Sequence, residues 1–340
     1  MFSIKKFDFK EDKKNWNTFI ETNSEGHFFF ETDYLFYHKE RFDDFSLMFF
    51  DRKNELVCVL PACVEVMGSS VETTTMAKLS KLLYSHKGLT FGGFIFKDDL
   101  SFIVRQKCVF AALKFLKENN FEKLILKPLP SYFNNNETIH RILNDKKINS
   151  QTVRVEANSV IELSTNTISK YSKRKQRNLQ KAKKASLQVE KINYSTDFWH
   201  IIEHNLKTRY HISPVHSATE IQFLKDIFPQ NIHFFVVKNS TQIMACSVAF
   251  IYQTTIHLQY MAATNEGKKV NALDFLIDEI IKNYPNYFNK NSFDYLSLGV
   301  SENRDEKETI NEGLFKWKEE FGAKVCSHFV YQINLAYSLK

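Results

Sequence analysis

Paired cysteines are missing from this chain of 340 residues. Cys58, Cys63, Cys108, Cys246 and Cys326 are odd in number and scattered, mostly within apolar strand-like runs, with no C-x-x-C among them. That spacing speaks against a zinc ribbon or a redox dithiol, and buried reduced thiols are expected. Long apolar runs are missing too, since none approaches the ~20 residues needed to span a bilayer. The amino terminus, MFSIKKFDFKEDKK, lacks the apolar centre of a signal peptide, so a cytoplasmic protein is expected.

Positive charge is in excess in only one place. Residues 168–191 hold nine cations and one acid, a net +8 against +7 for the whole chain, so the remainder carries −1. A protein with a near-neutral remainder and no recognition motif is not expected to read DNA. Within YSKRKQRNLQKAKKASL (171–187), Lys173, Arg177, Lys181 and Lys184 fall at helical spacing on one face. Leu179, Ala182 and Ala185 can pack on another. Such a face suits the phosphates of a small molecule through charge-assisted hydrogen bonds. It also suits tRNA or, at most peripherally, an anionic membrane, and it reads equally well as a solvated helix.

The length suits two ordinary domains, 1–150 and 151–340, with the basic helix at 167–186 in the second. Phe is abundant at 32 residues and clusters, as in Phe28-Phe29-Phe30, which points to aromatic cores. Alternation and periodicity predict a mixed α/β chain. Strands are expected at 2–9, 46–50, 55–66, 89–96 and 123–126, with helices at 13–22 and 102–119. In the second half helices are expected at 197–210, 218–226, 272–283 and 312–321. A meander is expected over 232–238, 242–252 and 255–262, with further strands at 293–298 and 326–335. The similar rhythm of the halves suggests a duplicated unit.

The order from the meander onward, with strand IHLQYMAAT (256–264), loop NEGKKVN, helix ALDFLIDEIIKN, strand DYLSLGVS (294–301) and a last helix ending in Phe-Gly, resembles the GNAT acyltransferases. That resemblance implies a helix amino terminus receiving the pyrophosphate of acyl-CoA, because its N–H groups form an anion site. The last helix matches the GNAT pattern at Asn311 and Gly322, while Lys318 stands where a Tyr usually protonates the departing thiolate. Aligning the phosphate loop on Gly267 puts Thr264 and Lys269 at its other positions, with Lys268 beside them. Over the whole length the chain looks most like the Fem-type and polysaccharide-locus branch, which has two GNAT-like domains. SHKGLTFGG (85–93), SKRKQRNLQKA (172–182), PVHSATEI (214–221), LGVSEN (298–303) and NEGLFKWKEEFGA (311–323) carry that likeness.

The implied fold is two tandem GNAT-like domains of the α/β (α+β) class, each a mixed, mostly antiparallel sheet flanked by helices. The implied activity is acetyl-CoA-dependent acylation of an amine on a nucleotide- or lipid-linked amino sugar for a bacterial surface polysaccharide. The alternatives are transfer from aminoacyl-tRNA to a peptidoglycan precursor, or an inactive binding module of the same fold. Fem-type members often carry a helical coiled-coil insertion where this chain has one helix, which favours the sugar reading. No metal is implied, and a homodimer is an open assembly. Glu302 and His216 are candidate bases for the amine proton, with Lys318 steadying the thiolate. His86, Lys173, Arg177, Arg209 and Tyr260 are candidates for the acceptor, and Thr264, Gly267, Lys268, Lys269 and Asn311 for the CoA. Ser217 with Glu220 reads as a capping box. His200-Ile201-Ile202-Glu203-His204 has the spacing of a zinc motif, but the pattern around it belongs to another fold.

Overall fold

The computed structural model describes residues 2–67, 80–133, 137–166, 168–288, 292–302 and 310–338. Asn303 of the LGVSEN stretch and Thr167 of the expected basic helix lie outside them. The chain forms two compact units, 1–156 with 327–340, and 157–326.

The first unit opens with β1 (Ser3–Lys6) and α1 (Phe9–Glu21). Asp8 starts α1 by accepting the Lys10 and Glu11 N–H groups, which places Trp16, Phe19 and Ile20 on its buried face. The indole N–H of Trp16 donates to Phe30 O at 2.6 Å, tying α1 to the buried Phe28–Phe30 turn. The short α2 (Thr32–Leu35) follows, then β2 (Asp43–Asp44), β3 (Leu47–Phe50), β4 (Leu56–Leu60), β5 (Cys63–Met67), β6 (Ser80–Tyr84), β7 (Ile95–Phe96), α3 (Phe102–Glu118), β8 (Lys123–Leu126) and α4 (Thr138–Leu143). One sheet runs β1-β3-β4-β7, and in another the order is β8-β6-β5-β2. The single strand expected over 55–66 is thus two strands in different sheets. The chain breaks at Pro61, which lacks the N–H a ladder needs.

The long β9 (Ser150–Glu162) and β6 are strands that sequence periodicity did not reveal. β9 alternates poorly, with five consecutive exposed residues at 151–155, so its pattern resembles a polar linker.

The second unit contains α5 (Lys173–Lys183), β10 (Gln188–Ile192), α6 (Trp199–Tyr210), α7 (Ala218–Ile227), β11 (Ile232–Lys238), β12 (Ile243–Tyr252), β13 (Thr255–Ala263), α8 (Asn265–Lys269), α9 (Ala272–Phe288), β14 (Tyr295–Val300) and α10 (Glu312–Glu319). β15 (Lys324–Asn334) leaves it. The sheet order is β10-β11-β12-β13-β14-β9, antiparallel except for β13 with β14. The capping box of α7 is present, with Ser217 and Glu220 satisfying each other's backbone N–H.

The domain boundary differs from the expected 150/151. The last strand belongs mainly to the first unit, because Tyr331–Asn334 pair with β8. Local pattern cannot reveal such a return, which depends on a partner some two hundred residues away. Among the described residues, no helix is long and apolar enough to cross a membrane.

The candidate active site at a strand fork

Each unit contains a strand-helix-strand crossover that brings two parallel strands together. In the first unit β6 and β8 pair from Leu82↔Lys123 to Tyr84↔Ile125. Backbone bonds then stitch the strand ends. Ser85 N–H donates to Ile125 O at 2.9 Å and Gly92 N–H to Lys127 O at 2.7 Å, while Ser85 Oγ accepts the Lys127 N–H at 3.0 Å. A Cβ on Gly92 would lie 1.9 Å from Ser85 O, so only glycine allows this approach.

The second unit is different. β13 and β14 pair over Thr255↔Tyr295, Ile256↔Leu296 and His257↔Ser297, and there the pairing stops. β13 continues to Ala263 alongside β12, while β14 turns to pair Val300 with Asn158 of β9. The strands therefore diverge into a fork. Beside it the β12–β13 register jumps between Val248↔Tyr260 and Ala249↔Leu258, leaving Gln259 as the extra residue of a β-bulge.

Strand alternation decides what each face of the fork presents. Ile256, Leu258, Leu296 and Leu298 belong to the core under α9, together with Leu179 and Ala182 of α5. His257 and Ser297 therefore point the other way, and His257 Nδ1 lies 3.0 Å from Ser297 Oγ. The bulge returns Tyr260 to this second face, where Trp199 of α6 packs edge-on at 5.3 Å. His216, in the α6–α7 connection, places Nδ1 2.7 Å from the Tyr260 hydroxyl. Two residues singled out from the sequence, His216 and Tyr260, thus meet as one buried pair.

Lys318 is the most unusual group at the fork. It occupies the last turn of α10 and is 1% exposed. Its ammonium donates to Gly299 O at 2.9 Å and to Val300 O at 2.6 Å. Gly299 has φ +70°, a left-handed backbone that glycine adopts without strain and that aims both carbonyls at the lysine. Burial pushes the Lys318 pKa down to about 7, with no carboxylate paired to it among the described residues. His257 is pushed down to about 4, chiefly by burial, while a hydrogen bond with Gln259 works in the opposite direction and the Lys318 charge lowers it further. His257, Gln259 and Ser297 are site residues that sequence reasoning missed. Their signal is the end of parallel pairing and a bulge, neither of which has a local sequence pattern.

The other candidates are placed as follows. Glu302 follows the β14 turn, and its Oε1 accepts the Ala157 N–H at 3.2 Å. Asn311 caps α10, with its side-chain oxygen taking the Leu314 N–H at 2.9 Å. Thr264 caps α8 and takes the Gly267 N–H at 3.0 Å. A Cβ on Gly267 would sit 1.9 Å from Met244 O, so Gly267→Ala is expected to destabilise the protein by about 1–3 kcal/mol, read from a lowered urea midpoint. Lys268 and Lys269 are exposed on the same turn, with no ion-pair partner within 4 Å among the described residues. His86 belongs to the first unit, where it is 5% exposed beside His38 and Phe42, and burial holds its pKa down to about 3.

The basic helix needs one correction. Lys173, Arg177, Lys181 and Lys184 are exposed as expected, and Leu179 and Ala182 are buried. Lys175, however, is fully buried and pairs with Asp274 of α9 at 2.9 Å. Its ammonium also lies 4.0 Å from the Phe321 ring centre. Arg174 grips Glu320 with two bonds of 2.6 and 2.8 Å. A second correction concerns Arg209. It leaves α6, which packs on the Tyr260 face, whereas α5 packs with α9 on the opposite face. Lys173, Arg177 and Arg209 therefore do not close on one phosphate, because the sheet separates their helices.

No protein-family model and no curated protein sequence matches the chain. Solved structures do resemble it. FemX aligns over 97% of this chain and 96% of its own, with TM-score 0.69 and 9% identity. L-PGS from Bacillus licheniformis aligns over 96% and 93%, with TM-score 0.57 and 11% identity. A tandem GNAT protein from the clavulanic acid biosynthesis pathway aligns over 98% of both chains, with TM-score 0.50 and 7% identity. At such identities the likeness concerns the fold. The protein has the tandem GNAT fold, nearly end to end.

Proposed function

We propose that the protein is an N-acyltransferase whose reaction takes place at the β13–β14 fork. The observation that carries this reading is the buried Lys318, with a pKa near neutrality and an ammonium fixed on Gly299 O and Val300 O. A lysine is not kept in such a place for solubility, and perturbed groups concentrate at working sites. The first unit's crossover, stitched shut, holds no comparable group among the described residues.

The proposed donor is an acyl-CoA, most simply acetyl-CoA, and its thioester supplies an activated acyl carbon. The turn after β13 suits a pyrophosphate through side chains. Lys268 and Lys269 are exposed there, whereas the Gly267 N–H is already taken by Thr264. Lys173 and Arg177 lie on the same α9 face and extend the positive surface. The Gln259 bulge turns backbone N–H out of the ladder, where it can donate to a carbonyl oxygen that gains charge. Lys318 Nζ holds the proton that a departing thiolate needs.

The acceptor amine reaches the fork from the α6 face. There Glu302 or His216 takes its proton, Tyr260 orients His216, and Arg209 meets an acceptor phosphate. The acceptor in this reading is an amino sugar carried on a nucleotide or lipid phosphate, in the cytoplasm, for a bacterial surface polysaccharide. In this reading the chain acts as the polysaccharide-locus branch is expected to.

A second reading replaces the donor with aminoacyl-tRNA and the acceptor with a peptidoglycan precursor. Two observations favour it: the engaged Gly267 N–H, and a row of exposed cations on α5 without ion-pair partners within 4 Å among the described residues. Calorimetry with CoA and gel shift with bulk tRNA separate the two. Micromolar CoA binding without tRNA binding supports the first reading. Salt-sensitive tRNA binding without CoA binding removes it in favour of the second.

A further inference from the structure

The fork contains a polar chain that the transfer scheme leaves unused. His257 Nδ1 meets Ser297 Oγ at 3.0 Å, on two strands that part company at that residue pair. The same Oγ lies 3.4 Å from the Gly299 N–H, and the Gly299 carbonyl receives the Lys318 ammonium at 2.9 Å. The His257 ring also faces the turn, its Cε1 standing 3.7 Å from where a Cβ on Gly299 would be. All four residues lie within the second unit. His257 is 7% exposed and Ser297 fully buried, so neither is a surface residue that happens to face a strand end.

We propose that His257 is a positioning residue for Lys318: through Ser297 it fixes the end of β14 and the Gly299–Val300 turn, whose two carbonyls hold the lysine ammonium at the fork. This role takes its catalytic meaning from the reading of Lys318 as the fork's proton donor. The physical argument is one of placement. Among the described residues the β13–β14 pairing ends at His257↔Ser297, so this side-chain bond ties the two strands where they separate. A left-handed glycine two residues later has no side chain to anchor it. Without the tie, the turn and its carbonyls can shift, and a buried lysine that loses its acceptors swings toward water rather than remain unpaired. Among the described residues, the titratable groups around the turn are Lys318 from α10, Glu302 after β14 and His257 itself. Burial keeps His257 neutral at physiological pH, so its effect on Lys318 is one of geometry rather than charge.

The test is trace labelling of the intact protein with acetic anhydride across pH 5–11, with the labelled fraction of Lys318 read by peptide mass spectrometry. In the wild type Lys318 is expected to label slowly, with a midpoint near neutrality. In His257→Leu and, independently, Ser297→Ala, the midpoint is expected to rise by about one unit or more toward the ordinary lysine value, with faster labelling. His257→Asn, whose amide can replace Nδ1, is expected to keep the wild-type midpoint.

An unchanged midpoint in whichever of the two disrupting variants folds, judged by circular dichroism, overturns the proposal. So does a shift in His257→Asn as large as that in His257→Leu. The readout needs neither donor nor acceptor. Failure of transfer with every donor would therefore defeat the functional reading while leaving this result to stand or fall by itself.

Discussion

Replacing Lys318 with methionine is expected to lower the transfer rate by about 100- to 10,000-fold, the range lost when a positioned proton donor is removed. The fold should survive, since methionine fills much of the same volume. Stability should move the opposite way from activity in acid. The pKa of Lys318 in the folded protein, about 7, lies below the ordinary 10.5, so the unfolded chain binds the proton more tightly. The cost of burying the charge is therefore fully present below pH 7 and fades as the pH rises toward 10.5. That cost is on the order of a few kcal/mol, against about 1 kcal/mol for each hydrogen bond given up at Gly299 and Val300. Thermal melts should show Lys318→Met more stable than wild type at pH 6, with the advantage gone by pH 10. A variant less stable at both pH values, or one that transfers at the wild-type rate, would refute the assignment.

Asp274→Ala should be the most destabilising single change in the second unit, at about 3–5 kcal/mol, because it leaves a buried lysine only the more distant Glu320 carboxylate, at 3.8 Å. Asp274 Oδ1 takes the Lys175 ammonium at 2.9 Å and the Trp317 indole N–H at 2.8 Å, and Oδ2 takes the Asn178 amide at 3.2 Å. One carboxylate thereby joins α5, α9 and α10. Burial lowers the Lys175 pKa, and Asp274 acts to raise it; Glu320 is also buried, yet Arg174 and Lys175 outweigh that and hold its pKa down. Salt should hardly change the loss, because the pair is shielded from solvent ions. The double change Lys175→Met with Asp274→Leu should recover most of the stability, since a buried ion pair can often be replaced by apolar side chains of similar volume. Urea denaturation of the single and double variants checks both statements. A loss below 1 kcal/mol for Asp274→Ala would show that Lys175 finds other partners.

These two predictions rest on residues of very different legibility. Lys318 stands out in the sequence because a family pattern puts a tyrosine at its offset, but nothing in the sequence says that it is buried. Lys175 reads as one more solvated cation in a run of nine, and periodicity alone cannot tell it from Lys173 or Arg177. Meander strands at 232–238 and 243–252 are nearly as expected, because apolar runs bounded by polar turns are a local property. The fork is different. His257 and Ser297 are forty positions apart, and their meeting depends on the crossover through α9 and on the residue at which parallel pairing ends.

What the sequence determined unaided was much of the succession of elements, the apolar faces that bury them, the concentration of positive charge at one helix and the resemblance to a two-domain acyltransferase fold. The elements, their faces and the charge follow from periodicity, capping and composition, all of which act over a few residues, whereas the resemblance rests on family motifs. Only the tertiary structure decided which cations face water, where the last strand returns, that the first crossover is stitched while the second stands open, and that the sheet parts Arg209 from Lys173. Each of these is a long-range pairing, and the burial that lowers the pKa of Lys318 exists only once distant strands have closed around it.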